Sequence, residues 1–129
     1  MSNNLHSVNS TLMSIQKTMS PVQVAEKYMA CFYGDAPLES MEALLADDLI
    51  FRGPLYEFSS AKDYLESLRA DPPIGAKYQM IKVYEGDNSV CFIYLFSKQG
   101  IETLMAQNFE VNDGKISKIN LSFDTKAFK

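Results

Sequence analysis

A short segment, LIFRG at positions 49–53, raises the first question about chemistry. Side chains of a strand alternate between two faces, so Leu49, Phe51 and Gly53 share one face. Leu49 and Phe51 are bulky and apolar, which makes this the inward face of the strand. Gly53 leaves its last inward position without a side chain, so a ligand or a water could approach the backbone there.

Two polar residues stand out in apolar surroundings. Gln107 interrupts a strand face that otherwise carries Met105, Phe109 and Val111. A buried amide must be hydrogen-bonded, so Gln107 faces either another side chain or a ligand. Tyr28 falls within a helical pattern, and its hydroxyl serves either as a pocket donor or as the satisfied polar end of a core residue.

Other reactive residue types are sparse. His6 is the single histidine, which disfavours a Ser-His-Asp triad, a Cys-His pair or a histidine-based metal site. Cys31 and Cys91 lack CxxC spacing, so they are interpreted as buried thiols in a reducing cytosol. No metal and no cofactor is expected.

The carboxylates offer few candidates for a base. Asp47 and Asp48 follow a leucine-rich segment and are predicted to be solvated residues at a helix end. Glu57, Asp63 and Asp124 remain open as substitute bases, although Asp63 has a capping position and Asp124 belongs to an outward set.

Composition narrows the class of protein. The 129 residues include 12 basic and 16 acidic side chains, giving a net charge of −4 without any basic run, which argues against a nucleic-acid partner. No segment has the length of a membrane span, and the N-terminus lacks the pattern of a secretory signal. The chain is therefore predicted to be cytoplasmic, with a flexible or weakly helical extension over residues 1–19 and a single domain over residues 20–129.

Periodicity predicts the elements that position these residues. One helix begins at Ser20, with a capping box to Gln23, and stops at Gly34. A second helix is expected around LESMEALLA, and a third begins after Ser60 and ends before two prolines. Four strands separated by short turns follow: YQMIKVYE, VCFIYLFSK, IETLMAQNFEV and KISKINLSFD. This order predicts an α+β domain, with three N-terminal helices packed on a curved antiparallel sheet.

At this point the chain resembles the NTF2-like superfamily, in particular its SnoaL-like and ketosteroid-isomerase-like branch. The resemblance covers about residues 20–128. It rests on the segments YMACFYGD, ADDLIFRGP, FSSAKDYLESL and QNFEVNDGKISKINLSF. It implies a cone-shaped fold with an apolar pocket, a fold that hosts unrelated activities.

The resemblance also implies roles for three residues. Isomerases of this family use two hydrogen-bond donors toward an oxyanion and an aspartate that moves the proton. The helix tyrosine matches Tyr28, the late-strand acid matches Gln107, and the aspartate matches Gly53, which cannot accept a proton. Relatives of limonene epoxide hydrolase use an Asp-Arg-Asp arrangement, but Arg52 lies on the outward face here.

Three classes of function remain open. The first is binding of a small apolar molecule in the cone without the usual base. The second is a cofactor-independent isomerase, dehydratase or polyketide cyclase that uses Tyr28 and Gln107 as oxyanion donors. The third is a dimerisation or docking module, and the resemblance implies a homodimer that pairs through the outer face of the sheet. Residues expected to line the pocket are Phe32, Leu49, Phe51, Gly53, Tyr56, Tyr64, Phe109, Ile119, Leu121 and Phe123.

Overall fold

The computed structural model describes residues 19–128, so His6 and all but the last residue of the predicted extension lie outside the described residues. Helix α1 spans Pro21–Phe32. The predicted capping box is present, because the Ser20 hydroxyl accepts from the Gln23 N–H at 3.3 Å and the Gln23 side chain accepts from the Ser20 N–H at 2.9 Å. The helix ends at Tyr33, and Gly34 follows with φ +86°.

The second predicted helix is a short 3-10 helix, Leu38–Leu44. Strand β1, Leu45–Arg52, begins at the next residue of the chain. Leu45 pairs with Ile116 of a distant strand, so long-range pairing overrides the local helical preference of LLA. The interpretation of Asp47 and Asp48 as helix-end residues was therefore wrong. Both lie within β1, where they are exposed.

A two-residue strand, β2, spans Glu57–Phe58 and precedes helix α2, Ala61–Ala70. The Ser60 hydroxyl accepts from the Asp63 N–H at 3.1 Å, which caps the first turn of α2. Tyr64, Leu65 and Leu68 form the buried stripe of this helix. Asp71 follows as its C-cap, and the two prolines come next.

The remaining strands are β3, Lys77–Glu85, β4, Ser89–Lys98, β5, Ile101–Asn112, and β6, Lys115–Phe123. A 3-10 turn, Thr125–Phe128, follows β6. All six strands form one sheet in the order β2-β1-β6-β5-β4-β3. The α+β class with three helices on a curved sheet is confirmed. The sheet is mixed, because β1 runs parallel to β6 while the other neighbours are antiparallel.

The core lies between the helices and the inward face of the sheet. Inward positions of β5 are buried as predicted, and Gln107 is among them with 3% exposure. The outward residues of β4, Cys91, Ile93 and Leu95, are only half-buried. In the described part of the chain, no helix has the length and apolar character needed to cross a membrane.

Candidate functional site

A cavity of about 490 Å³ lies between the two helices and the inward face of the sheet. Its size falls within the range of small-molecule sites. Of the residues that the structure describes, eleven aromatic ones line it, and Asp71 and Lys98 are the only charged lining residues. Leu55, Tyr56 and Asp71 are exposed, which places the mouth of the cavity at this end.

Two tyrosines meet inside the cavity. Tyr28 lies on the buried face of α1, and Tyr64 lies on the buried face of α2. Their hydroxyls are hydrogen-bonded to each other. The Tyr64 ring stacks on Phe51 at 4.8 Å, and the Tyr28 ring meets Phe109 edge-on at 5.2 Å, so both rings are held by aromatic packing.

Gln107 completes this cluster from the sheet. It lies on β5, directly opposite Phe92 of β4 and Leu121 of β6. The Tyr94 hydroxyl donates to Oε1 of Gln107 at 2.6 Å. Because this bond occupies the amide oxygen, the NH₂ group of Gln107 is the part that can donate toward the cavity and Tyr28.

Burial keeps these phenols protonated. Desolvation raises the pKa of Tyr28 well above its ordinary value, and the neighbouring Tyr64 raises it further, while the amide of Gln107 lowers it. Burial likewise raises the pKa of Tyr64 and of Tyr94. Because a desolvated phenolate is disfavoured, the cluster of Tyr28, Tyr64, Tyr94 and Gln107, here called the donor cluster, stays neutral near pH 7.

The structure gives a packing reason for Gly53. A Cβ at this position would lie 3.2 Å from Cε1 of Phe51 and 3.7 Å from Cβ of Leu121. The Gly53 N–H also donates to the Tyr56 carbonyl at 2.9 Å, which closes the turn after β1. The glycine therefore lets the Phe51 ring fold against the backbone, where it stacks on Tyr64.

The structure brings most of the predicted site residues together. Tyr28, Gln107, Phe32, Phe51, Gly53, Tyr56, Tyr64, Leu121 and Phe123 all line the cavity. Leu49, Phe109 and Ile119 were expected there as well, but each has 0% exposure and none lines the cavity. They point inward, as expected, yet helices and neighbouring strands cover them, so they belong to the core.

Two lining residues that matter for the chemistry were not anticipated. Tyr94 lies in VCFIYLF, a segment that is apolar on both faces. The Tyr94 hydroxyl is the only hydroxyl group in that segment. Lys98 is the last residue of the same strand and lies at the mouth of the cavity. Strand alternation from Phe92 through Tyr94 and Phe96 was the signal that could have placed Lys98 on the inward face.

The interior of the cavity contains no carboxylate among the described residues. Glu57, Asp63 and Asp124, the substitute bases considered from the sequence, are exposed and lie outside the lining. Within residues 19–128, no three His, Cys, Asp or Glu side chains are grouped so that they could hold a metal ion.

Solved structures share this architecture. An NTF2-like protein of unknown function from Cytophaga hutchinsonii superposes with a TM-score of 0.74 at 17% identity, covering 86% of this chain and 96% of that one. This chain has the NTF2-like fold. No family model and no curated protein matches the sequence itself.

The NTF2-like fold occurs in neighbours of different activity. A candidate ketosteroid isomerase from Kribbella flavida has a TM-score of 0.69 at 21% identity, covering 79% of this chain and 76% of that one. A limonene-epoxide-hydrolase-like enzyme of M. tuberculosis has a TM-score of 0.71 at 16% identity, with coverage of 83% and 84%. At these identities the likeness establishes the fold, and function must be argued from the cavity.

Proposed function

We propose that this protein binds a small apolar molecule in its cavity through a hydrogen-bond acceptor on that molecule, without acid–base turnover. One observation carries the proposal: the donor cluster lies in an aromatic cavity, and none of residues 19–128 places a carboxylate in its interior. Gly53 stands where the resemblance puts the isomerase base, and it supplies no proton acceptor.

The hydrogen bonds within the donor cluster define what it can offer to a ligand. Tyr94 donates its hydroxyl proton to Gln107. Tyr28 and Tyr64 together have two hydroxyl protons, and one of these forms the hydrogen bond that joins them. One phenolic O–H and the second N–H of Gln107 are left to donate, because the Gln107 amide also interacts with Tyr28. A carbonyl oxygen satisfies such donors, whereas an ammonium group does not.

An enzyme is the second candidate, and the same donors favour it. A phenol and an amide held in an apolar cavity could stabilise negative charge developing on a carbonyl oxygen during an isomerase-, dehydratase- or cyclase-type reaction. Proton transfer would then need a water, because no lining side chain beyond exposed Asp71 is a carboxylate. We rank binding first for this reason.

We also propose a homodimer. The outward face of the sheet carries five apolar residues, here called the outer patch: Tyr84, Ile93, Leu95, Leu104 and Ala106. Lys82 lies among them. Tyr84 is 58% exposed and Leu104 is 55% exposed. Exposed apolar surface of this kind supports an interface, and a second copy offers an identical surface under two-fold symmetry.

Both cysteines are free thiols, which suits the cytoplasm as the place of action.

Displacement of the fluorescent probe N-phenyl-1-naphthylamine tests the binding proposal. The competitors are 2-acetylnaphthalene and 2-ethylnaphthalene, which have similar shapes but differ in the carbonyl acceptor. We expect the ketone to bind roughly three- to tenfold more tightly, as one net hydrogen bond implies. Replacing both Tyr28 and Tyr64 by Phe should reduce that ratio to less than half.

Tyr78→Phe provides the matched control for this experiment. Tyr78 packs against Tyr33 at 4.6 Å but does not line the cavity, so the preference for the ketone should persist in this variant. Failure of the probe to bind would contradict the cavity as a ligand site. Equal affinity for ketone and hydrocarbon in the unmodified protein would contradict the role of the donor cluster.

A further inference from the structure

The inward face of β4 ends in a positive charge. Phe92, Tyr94 and Phe96 are buried on this face, and Lys98 takes the next inward position, where it lines the mouth of the cavity. The Lys98 side chain is half-buried. A two-residue turn, Gln99-Gly100, follows at once and fixes the end of the strand, because Lys98 pairs with Ile101 across it.

Packing of the fold does not account for this lysine. Inward charges can protect the edge of a sheet, but β4 lies between β3 and β5 and has no free edge. In residues 19–128, ion pairs join Arg69 to Glu39 and Lys118 to Glu110, and Lys98 takes part in neither. A cation that is partly removed from water interacts more strongly with a bound anion than a fully exposed one does.

We infer that the cavity selects ligands with two polar ends: an acceptor at the donor cluster and a carboxylate at Lys98. This inference rests on the proposed function and names the class of ligand, an apolar carboxylic acid that carries a carbonyl group at its other end. The aromatic walls between the two ends would take its hydrocarbon part. Asp71 lies at the same mouth and repels an anion, but it is exposed to water, so solvent screens its charge more than that of Lys98.

A matched pair of competitors tests the inference. N-phenyl-1-naphthylamine is displaced by 6-acetyl-2-naphthoate or by its methyl ester, which keeps the ring and the ketone but carries no charge. In the unmodified protein the carboxylate should bind at least about fivefold more tightly than the ester at low salt. Lys98→Met should remove this preference while changing the ester's affinity less than about twofold.

Three further variants make the result specific. Lys98→Arg should keep the preference for the carboxylate, because the charge remains. Lys77→Met is the control and should keep the preference for the carboxylate. Lys77 pairs with Ser97 on the outward face at the same end of the sheet, and it does not line the cavity. Asp71→Asn should strengthen carboxylate binding about twofold, because it removes the repelling charge.

The outcomes separate the inference from the function on which it rests. If the probe does not bind the unmodified protein, the proposed cavity function fails. If carboxylate and ester compete equally, or if Lys98→Met keeps the preference, ligand binding stands and the role of Lys98 is overturned. Unchanged probe affinity in Lys98→Met shows that the variant is folded.

Discussion

Among single residues, the donor cluster is notable because its members hold one another in place. Tyr94 fixes the amide of Gln107, and Tyr64 fixes the hydroxyl of Tyr28. Burial raises the pKa of each of the three phenols, so none loses its proton near neutral pH. The donors are therefore oriented before a ligand arrives, which lowers the entropic cost of binding.

Gly53 allows a direct test of the proposal that the cavity lacks the isomerase base. Its backbone φ is not in the left-handed region, so a side chain meets steric resistance mainly from the Phe51 ring at 3.2 Å. We expect Gly53→Asp to fold, with the free energy of unfolding lowered by about 1–3 kcal/mol. Desolvation should raise the pKa of the new carboxyl. Slow conversion of 3-cyclohexenone to 2-cyclohexenone, followed by ultraviolet absorbance, is the expected gain.

Gly53→Asn is the matched control, because it has the same shape without a base and should give no isomerisation. Isomerisation by the unmodified protein would refute the view that Gly53 removes the base. A variant that binds the ketone but never converts it would show that Gln107 does not replace the family's acid.

Among the elements, the β4–β5 hairpin places Lys98 at the mouth of the cavity. Its turn residues, Gln99 and Gly100, have φ values of +50° and +82°. Positive φ at both central positions is the pattern of two-residue turns that match the twist of the strands. The hairpin therefore sets where Lys98 ends relative to the cavity.

Two substitutions test this turn. Gln99→Asn should raise the free energy of unfolding by a few tenths to about 1 kcal/mol, because asparagine tolerates positive φ better than glutamine. Gly100→Ala should lower it by about 1 kcal/mol through backbone strain alone, since an added Cβ meets no atom within 4 Å. Urea unfolding measures both effects. A Gly100→Ala variant as stable as the unmodified protein would contradict the strained turn.

Local patterns were enough to predict most elements of the fold. The capping box at Ser20, the stop at Gly34 and the four long strands depend on neighbouring residues, and all appear in the structure. The early start of β1 at Leu45 and its parallel pairing with Ile116 depend on a strand that is distant in sequence. Short-range periodicity carries no information about such pairing.

The sequence predicted which side chains point inward, but not which of them reach the cavity. Alternation correctly placed Gln107 on an inward face, and it did the same for Phe109. Whether an inward residue meets a cavity or another side chain depends on the helices above it. Tyr28 covers Phe109 at 5.2 Å, while Gln107 reaches the lining. Tyr94 was missed because an apolar segment gives no sign of which hydroxyl has a polar partner.

For the whole molecule, the outer patch leads to a prediction about assembly. We expect sedimentation velocity to show a dimer, because stable interfaces commonly bury about 1,200–2,000 Å² and the sheet offers an extended apolar surface. Leu104→Glu should yield monomers, since it places a charge on one of the two most exposed residues of the outer patch. Ligand binding should persist, because Leu104 lies on the face opposite the cavity.

Ile74→Glu is the control for this experiment. Ile74 is 77% exposed but precedes β3 and lies outside the outer patch, so the variant should stay dimeric. A monomeric unmodified protein at micromolar concentration would contradict the proposed interface.

The parallel pairing of β1 with β6 has a consequence for the order of synthesis on the ribosome. β1 is complete at Arg52, but its partner begins only at Lys115, roughly sixty residues and about 3–12 s later at usual translation rates. Until then, the side of β1 that pairs with β6 has no partner strand, and closing so long a loop is entropically slow. The nascent chain therefore emerges with an unfinished sheet, and chaperones that recognise exposed apolar strands have a defined interval in which to bind it.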